Sequence, residues 1–508
     1  MDNSGRYVEP AKDVEVSADV VVVGSGAGGA TVAAELAEAG FSVVVIEEGG
    51  YFTHKDFKYD PIEMIKKLYR DAGTGVIQGK PPIVFTEGRC VGGSTVINGG
   101  LSWRTPEKVL KKWHWEFGLD DITPEKLEPF FERVEKSVSV SIQPDDTIGM
   151  DARLIKIGAD RLGYKTEPAK RNISGCKGLN NCIFGCPINA KKSTLVAYIP
   201  SVEKNGGKIF PWVRAEKLLV KNGKAVGIVG RFVDRKFKKT KYKLTAYGKI
   251  IIIAGGAIQT PYFLLKNGFK SSSKQVGKNL YTHPNAKAIA IFDDPVYGWK
   301  GTIQGWQLTE FREEGILAST TFVPPGMISM SIPPIGEENL KLMRYYNNMV
   351  AAGVLIEDTG TGIVKPGPLD MAMAIYNIND YDFYKIKRGI AILSEIYFAA
   401  GARKVILPFD PLKEIHSADE IKKIFSYRIS KKETELLTVH VMGTARIAGD
   451  PKRGVVNQWL ESWDIKNLFI TDASVFPTPI GVNPQITIMT LATWAAAHII
   501  ENRSKYLS

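Results

Sequence analysis

Two groups of residues in this 508-residue chain combine types and spacings that could do chemistry. The first is Gly24-x-Gly26-x-x-Gly29, with Glu47 further along the chain. Such glycines permit a tight turn, close approach of backbone to a pyrophosphate, and close packing of helix on strand. An acid about 20 residues on can bind a ribose hydroxyl. The second group is Cys176-x5-Cys182-x3-Cys186-Pro187, three thiols on a glycine-containing loop. That spacing suits an iron–sulfur centre, and zinc, free thiols or a disulfide are the alternatives.

The glycines need a strand before them and a helix after them. Ala18 to Val23 is a β-branched apolar run that reads as a buried parallel strand. Ala30 to Glu38 reads as a helix ending at Gly40, and Ser42 to Ile46 as the next strand. With strand, turn, helix, strand and acid in order, a dinucleotide site is the expectation, and an unliganded tight turn is the plainer reading.

Residues 51–87 read as irregular with one helical piece near Pro61 to Leu68. A second glycine-rich stretch, Glu87 to Gly100, suits either close approach to a cofactor or an ordinary loop. Residues 105–168 read mainly as helix, with Thr123-Pro124-Glu125 as a capped start. Residues 207–254 alternate as strands with a turn at Asn222-Gly223, and Lys249 to Pro261 reads as a buried strand passing through glycines into a helix. Residues 286–430 suggest a separate, largely antiparallel sheet with helices over one face. Asn467 to Asp472 then reads as a strand and Gln485 to Asn502 as an apolar helix, returning to the first layer.

The formal charge of +12 invites a nucleic-acid partner, but the basic residues are scattered among acids. The densest cluster, Arg235 to Lys243, reads as an exposed β-hairpin, with docking to an acidic redox partner or anionic membrane as the alternative. No apolar run has the length of a membrane span. Met1 to Arg6 has no apolar signal core, so a cytoplasmic location is expected, peripheral to a membrane only through a partner.

Four blocks make the chain resemble the glucose-methanol-choline (GMC) family of FAD-dependent oxidoreductases: Gly24 to Glu47, Gly88 to Asn98, Ile253 to Pro261 with Val276 to Leu280, and Thr438 to Thr490. The resemblance implies an α/β fold, with a Rossmann-like FAD-binding domain and a second, mainly antiparallel-sheet substrate domain (α+β). It divides the chain into FAD-binding segments 1–110, 200–285 and 431–508, a helical and cysteine-loop insertion at 111–199, and a substrate domain at 286–430. It places FAD against Gly24, Gly26, Ala27, Gly29 and Glu47, against Gly92, Gly93, Ser94, Thr95 and Asn98, and against Asp472, Ala473 and Pro484. Members with covalent flavin carry a histidine where Ile97 stands, so FAD is expected to be non-covalent.

The family places its active-site base at His440 and the partner position at Asn483. The implied reaction is oxidation of an alcohol, including sugars and polyols, by hydride transfer to flavin N5. A neutral imidazole can take the hydroxyl proton; an asparagine amide can only hold the oxygen. Asn483-Pro484 also reads as an N-cap followed by the first residue of a helix aimed at the flavin.

The cysteine loop resembles that of the iron–sulfur-containing glucose and gluconate dehydrogenase subunits, although Gly175 stands where that group has a second cysteine. Cys176, Cys182 and Cys186 would then hold a three-iron, four-sulfur (3Fe-4S) cluster, because Cys90 lies on the loop assigned to the flavin. A cluster would favour a dehydrogenase that passes electrons to a protein or quinone over an oxygen-using oxidase. A flavin-binding electron-transfer subunit without alcohol chemistry is the reading from another class. Trp103, Trp306, Phe322, Met327 and Tyr376 are candidates to line the substrate pocket or to fill the core.

Overall fold

Val20, Val21 and Val22 have no solvent exposure, and the computed structural model, which describes residues 10–508, shows why. The strand Val14–Val23 lies at the centre of a seven-stranded sheet, with Val43–Ile46 parallel on one side and Lys239–Ile253 parallel on the other. A strand covered on both faces has no polar side to present, so its sequence runs continuously apolar. Lys208–Phe210 extends the sheet beyond Val43–Ile46, and Leu468–Ile470 pairs in parallel with Ile251–Ile253. The antiparallel pair Val213–Lys221 and Lys224–Val233 completes it, turning at Asn222 and Gly223, which both take positive φ. The stretch Met1 to Arg6, expected to lack a signal core, lies outside the described residues.

The helix Ala27–Glu38 follows the first strand directly. Its residues Gly28 to Ala37 are all buried, since it packs between the sheet and the closing helix Gln485–Glu501. Both helices are rich in buried small side chains (Ala30, Ala33 and Ala34 on one, Ala492, Ala495 and Ala496 on the other), which suits that approach. A Cβ on Gly29 would lie 2.1 Å from the Gly24 carbonyl oxygen, so a side chain there would drive helix and strand apart.

The second sheet has ten strands, all but one pairing antiparallel. Its centre is Asn285–Ile291 against Met349–Ile356, followed by Ile316–Thr320 and Trp306–Leu308. On Asn285–Ile291, Ala286, Ala288 and Ala290 face the 20-residue helix Asp380–Ala399, which covers one side as expected. Asn285 and Lys287 face the other way, into a cavity. The sheet also takes strands from outside 286–430: Gly75–Ile77, Ile83–Phe85, Thr166–Pro168 and Leu437–Thr438. The first two lie in the stretch read as irregular, where three-residue strands bounded by Gly75, Gly79 and Pro81 leave too short a pattern to recognise.

Candidate active site

A cavity of about 930 Å³ runs from the glycine turn of the first sheet to the inner face of the second. At one end, Gly26 caps the helix Ala27–Glu38 with no side chain, leaving the first-turn N–H groups available to an anion. The second glycine block lies alongside. Gly93 has φ +53, and a Cβ there would come within 2.8 Å of the Gly26 Cα, so the two glycine loops meet backbone to backbone. Ser25 joins them by accepting from the Gly92 N–H through Oγ, at 3.0 Å. Thr95 Oγ1 donates to the Gly92 carbonyl and lies 2.9 Å from Thr194 Oγ1.

Glu47 lines this end with its carboxylate already engaged. It accepts from Ser25 Oγ at 2.7 Å, from the Ser25 N–H at 3.1 Å and from the Gly49 N–H at 2.9 Å. Burial raises its pKa. Its neighbour Glu48 goes the other way: burial would raise it, but Arg70, Arg214 and Arg89 outweigh burial and hold it low. This arginine–carboxylate group, with Arg70 also paired to Glu87, forms much of the wall and was not legible in the sequence. Its members are dispersed over the end of the first βαβ unit, the stretch read as irregular, the second glycine block and a strand, and no spacing unites them.

Asp472 and Ala473 also line the cavity. Asp472 accepts from the Gly256 N–H at 2.8 Å, from Thr260 Oγ1 and from the Ser474 N–H at 2.8 Å. It therefore ties the turn after Lys239–Ile253 to the turn after Leu468–Ile470. Asn98 donates to Gln485 Oε1 at 2.8 Å, and Gln485 donates to the Leu101 carbonyl at 2.7 Å, so the second glycine block is fastened to the start of the closing helix. Ile97 lines the cavity between them.

His440 and Asn483 meet at the far end. Asn483 Nδ2 lies 3.2 Å from His440 Nε2. An amide nitrogen can only donate, so Nε2 carries the lone pair and Nδ1 the proton. Asn483 Oδ1 is buried with no protein partner. The closing helix starts at Gln485 as expected, but Pro484 and not Asn483 is its N-cap, and the Asn483 amide turns to the histidine instead. Neither cap group bonds the first-turn N–H groups through a side chain, which leaves the positive helix end uncapped beside the cavity.

Burial pushes the His440 imidazole down to about 4. A base with a depressed pKa is already neutral at pH 7 and loses its lone pair only as pH falls through that value. The rate constant for flavin reduction by an alcohol is therefore expected to be flat above about pH 6 and to fall toward pH 4, as stopped-flow measurement across that range would show.

A second histidine stands next to the first. The rings of His283 and His440 lie edge to face with centroids 5.8 Å apart. Paired hydrogen bonds between Tyr281 and Met442 lay the two segments side by side. His283 Nε2 accepts from the Ile480 and Gly481 N–H groups at 3.2 and 3.1 Å, and its buried Nδ1 has no partner. The sequence signal for it was a His-Pro pair just after Val276 to Leu280. Of the suggested lining residues, Met327 reaches the cavity. Trp103, Phe322 and Tyr376 are core: Trp103 donates to Gln307 Oε1, and Phe322 packs on Tyr346.

The three loop cysteines line a separate small pocket, and all are free thiols. Among the described residues no set of three His, Cys, Asp or Glu side chains is arranged to hold a metal ion. Cys182 Sγ instead accepts from Arg171 Nη2 at 3.0 Å. Burial would raise the Cys182 thiol, but Arg171 and Lys191 outweigh it and lower the pKa. Arg171 is fully buried and also donates to the Gly99 carbonyl and to Gln143 Oε1 at 2.8 Å. Arg171→Met would strand those acceptors, at a cost of about 2–4 kcal/mol in denaturant unfolding.

The profile described as GMC oxidoreductase matches residues 65–285 and 367–492, and an FAD-binding-domain profile matches 19–55. An uncharacterized GMC-type oxidoreductase of Mycobacterium tuberculosis is 33% identical over 477 residues, 94% of this chain and 74% of that protein. A long-chain-alcohol oxidase of Arabidopsis thaliana is 27% identical, over 96% of this chain and 69% of that one. The structure of a formate oxidase from Aspergillus oryzae superposes with a TM-score of 0.71 at 16% identity, covering 98% of this chain and all of that one. With its two glycine loops, its His–Asn pair and these matches, the chain belongs to the GMC oxidoreductase family of FAD-dependent enzymes.

Proposed function

We propose that this protein oxidises an alcohol, with His440 taking the hydroxyl proton and non-covalently held FAD taking the hydride. The observation that carries the reading is the 3.2 Å contact between Asn483 Nδ2 and His440 Nε2 at the wall of the cavity. FAD, when bound, supplies the two-electron acceptor. Gly24, Gly26, Ala27 and Glu47 would hold its nucleotide end, and Gly93 to Asn98 with Ala473 and Pro484 its ring.

The chain's own groups do the remaining work. The His440 Nε2 lone pair is held by the Asn483 amide; a substrate hydroxyl takes the amide's place there and gives Nε2 its proton as hydride leaves the carbon. Asn483 Oδ1, buried and unpartnered, supplies a further polar contact for that oxygen. The positive end of Gln485–Glu501 favours negative charge next to it. In this reading residues 1–110, 200–285 and 431–508 bind FAD and 286–430 covers the substrate.

An acceptor other than oxygen, a dehydrogenase reading, drew on the cysteine spacing. Among the described residues the three thiols, though they share one small pocket, are not arranged to hold a metal ion, so that reading keeps only the spacing in its support. The second reading, oxygen as acceptor, is supported by the similarity to a long-chain-alcohol oxidase. Anaerobic mixing with a panel of sugars, polyols and aliphatic alcohols tests the proposal: at least one class is expected to bleach the flavin, and bleaching by none would refute it. Admitting air separates the acceptors, since reoxidation within the turnover time with peroxide formation marks an oxidase.

A further inference from the structure

The cavity face of the second sheet carries a cation with no counter-ion. Lys287 lines the cavity, and among the described residues its ammonium has no hydrogen bond or ion pair. No carboxylate acts on it, and burial alone moves its pKa, down to about 8. The strand register explains its setting. Lys287 lies opposite Gly353, Gly353 opposite Ser319, and Ser319 opposite Gln307, so these four form one row across four adjacent strands. All four line the cavity.

The two middle positions are small, and the Asn285 amide lies over Gly353, where a Cβ would come within 2.7 Å of its Oδ1. At the far end of the row, Gln307 Nε2 is buried and unpartnered while its oxygen accepts from Trp103. The next row on the same face, Asn285, Leu355 and Leu317, is mostly apolar. His283, beside the catalytic pair, lies four residues before Lys287, roughly 13 Å along an extended chain. The path from the catalytic pair to Lys287 thus runs along this strand past Asn285, flanked by Leu355 and Leu317, with a proton-accepting end and a cationic end.

We propose that Lys287 is the specificity-determining residue of this cavity and holds the terminal carboxylate of an elongated alcohol whose hydroxyl meets His440 and Asn483. A single ammonium with neutral donors nearby matches a monoanion; a phosphate dianion would call for more cations than the row supplies. The inference rests on the alcohol-oxidation reading and names the substrate class for it, an ω-hydroxy carboxylate with an apolar spacer.

The test uses the FAD-loaded protein, Lys287→Met, and Lys287→Arg, with flavin content and thermal melting checked for each. Anaerobic flavin bleaching is measured with a series of ω-hydroxyalkanoates and with n-alkanols of equal length. In the native protein the hydroxy acids are expected to have the lower KM at the best-fitting length. In Lys287→Met that preference should shrink by about 10–100-fold, and Lys287→Arg should restore much of it. Equal KM values for the two series in the native protein, or a preference that survives in Lys287→Met, would overturn the proposal while leaving alcohol oxidation intact. Should neither series bleach the flavin, titration with decanoate still decides. Binding seen as a perturbed flavin spectrum and weakened in Lys287→Met supports the anion site; no binding, or binding unaffected by the substitution, overturns it.

Discussion

His440→Ala is expected to slow alcohol-driven flavin reduction by about 10²–10⁴-fold while FAD stays bound. The size follows from the missing proton acceptor. Hydride leaves carbon readily only if the hydroxyl proton departs with it, and the other groups nearby are poor substitutes. Asn483 has no basic atom, and His283 Nε2 is held by two backbone N–H groups, Ile480 and Gly481, which cannot swing aside as the Asn483 side-chain amide on His440 can. Retention of FAD follows from location, because the glycine turn and the Gly93 to Asn98 loop belong to other segments of the wall. Stopped-flow reduction under anaerobic conditions, with FAD quantified before mixing, reads both quantities. An unchanged rate would remove His440 from the chemistry, and lost flavin would assign it a structural role.

Gly26→Val is expected to abolish FAD binding without unfolding the chain. The reasoning differs from that for its neighbours. A Cβ on Gly26 would have only the Gly93 Cα within 4.0 Å, and Gly26 has an ordinary φ of −73°. A Cβ is therefore accommodated by the protein, and atoms beyond it enter the space where backbone must approach a pyrophosphate. At Gly29, by contrast, the Cβ would meet the Gly24 carbonyl at 2.1 Å, and a substitution should fail by misfolding. Flavin content of the purified Gly26→Val protein is expected to be near zero. Its far-ultraviolet circular dichroism and thermal transition should match those of the native protein stripped of FAD. Stoichiometric flavin in that variant would contradict the nucleotide assignment.

The first βαβ unit was legible because its signals are local: a continuous apolar run, glycines at fixed offsets, and an alanine-rich helix. His440 and Asn483 could be named only through family resemblance, since 42 residues of intervening chain, including the strand Leu468–Ile470, bring them together and no spacing encodes that. His283 and the arginines around Glu48 went unread for the same reason. They become neighbours through strand pairing between segments far apart in the chain. The cysteine spacing shows what a local pattern leaves out. A regular local pattern suggests a cluster, but nothing in it names Arg171, the residue toward which Cys182 is turned.

Five contacts around the cavity converge on one geometry: Ser25 to Gly92, Asn98 to Gln485, Gln485 to Leu101, Tyr281 to Met442, and Asn483 to His440. A crystal structure of the FAD-loaded protein tests that geometry most directly. Electron density for the isoalloxazine is expected beside Ile97 and the Gly93 to Asn98 loop, with His440 Nε2 and Asn483 facing the ring across a space the size of a hydroxyl-bearing carbon. A ring bound elsewhere, or an imidazole turned away from it, would contradict the mechanism proposed for this enzyme.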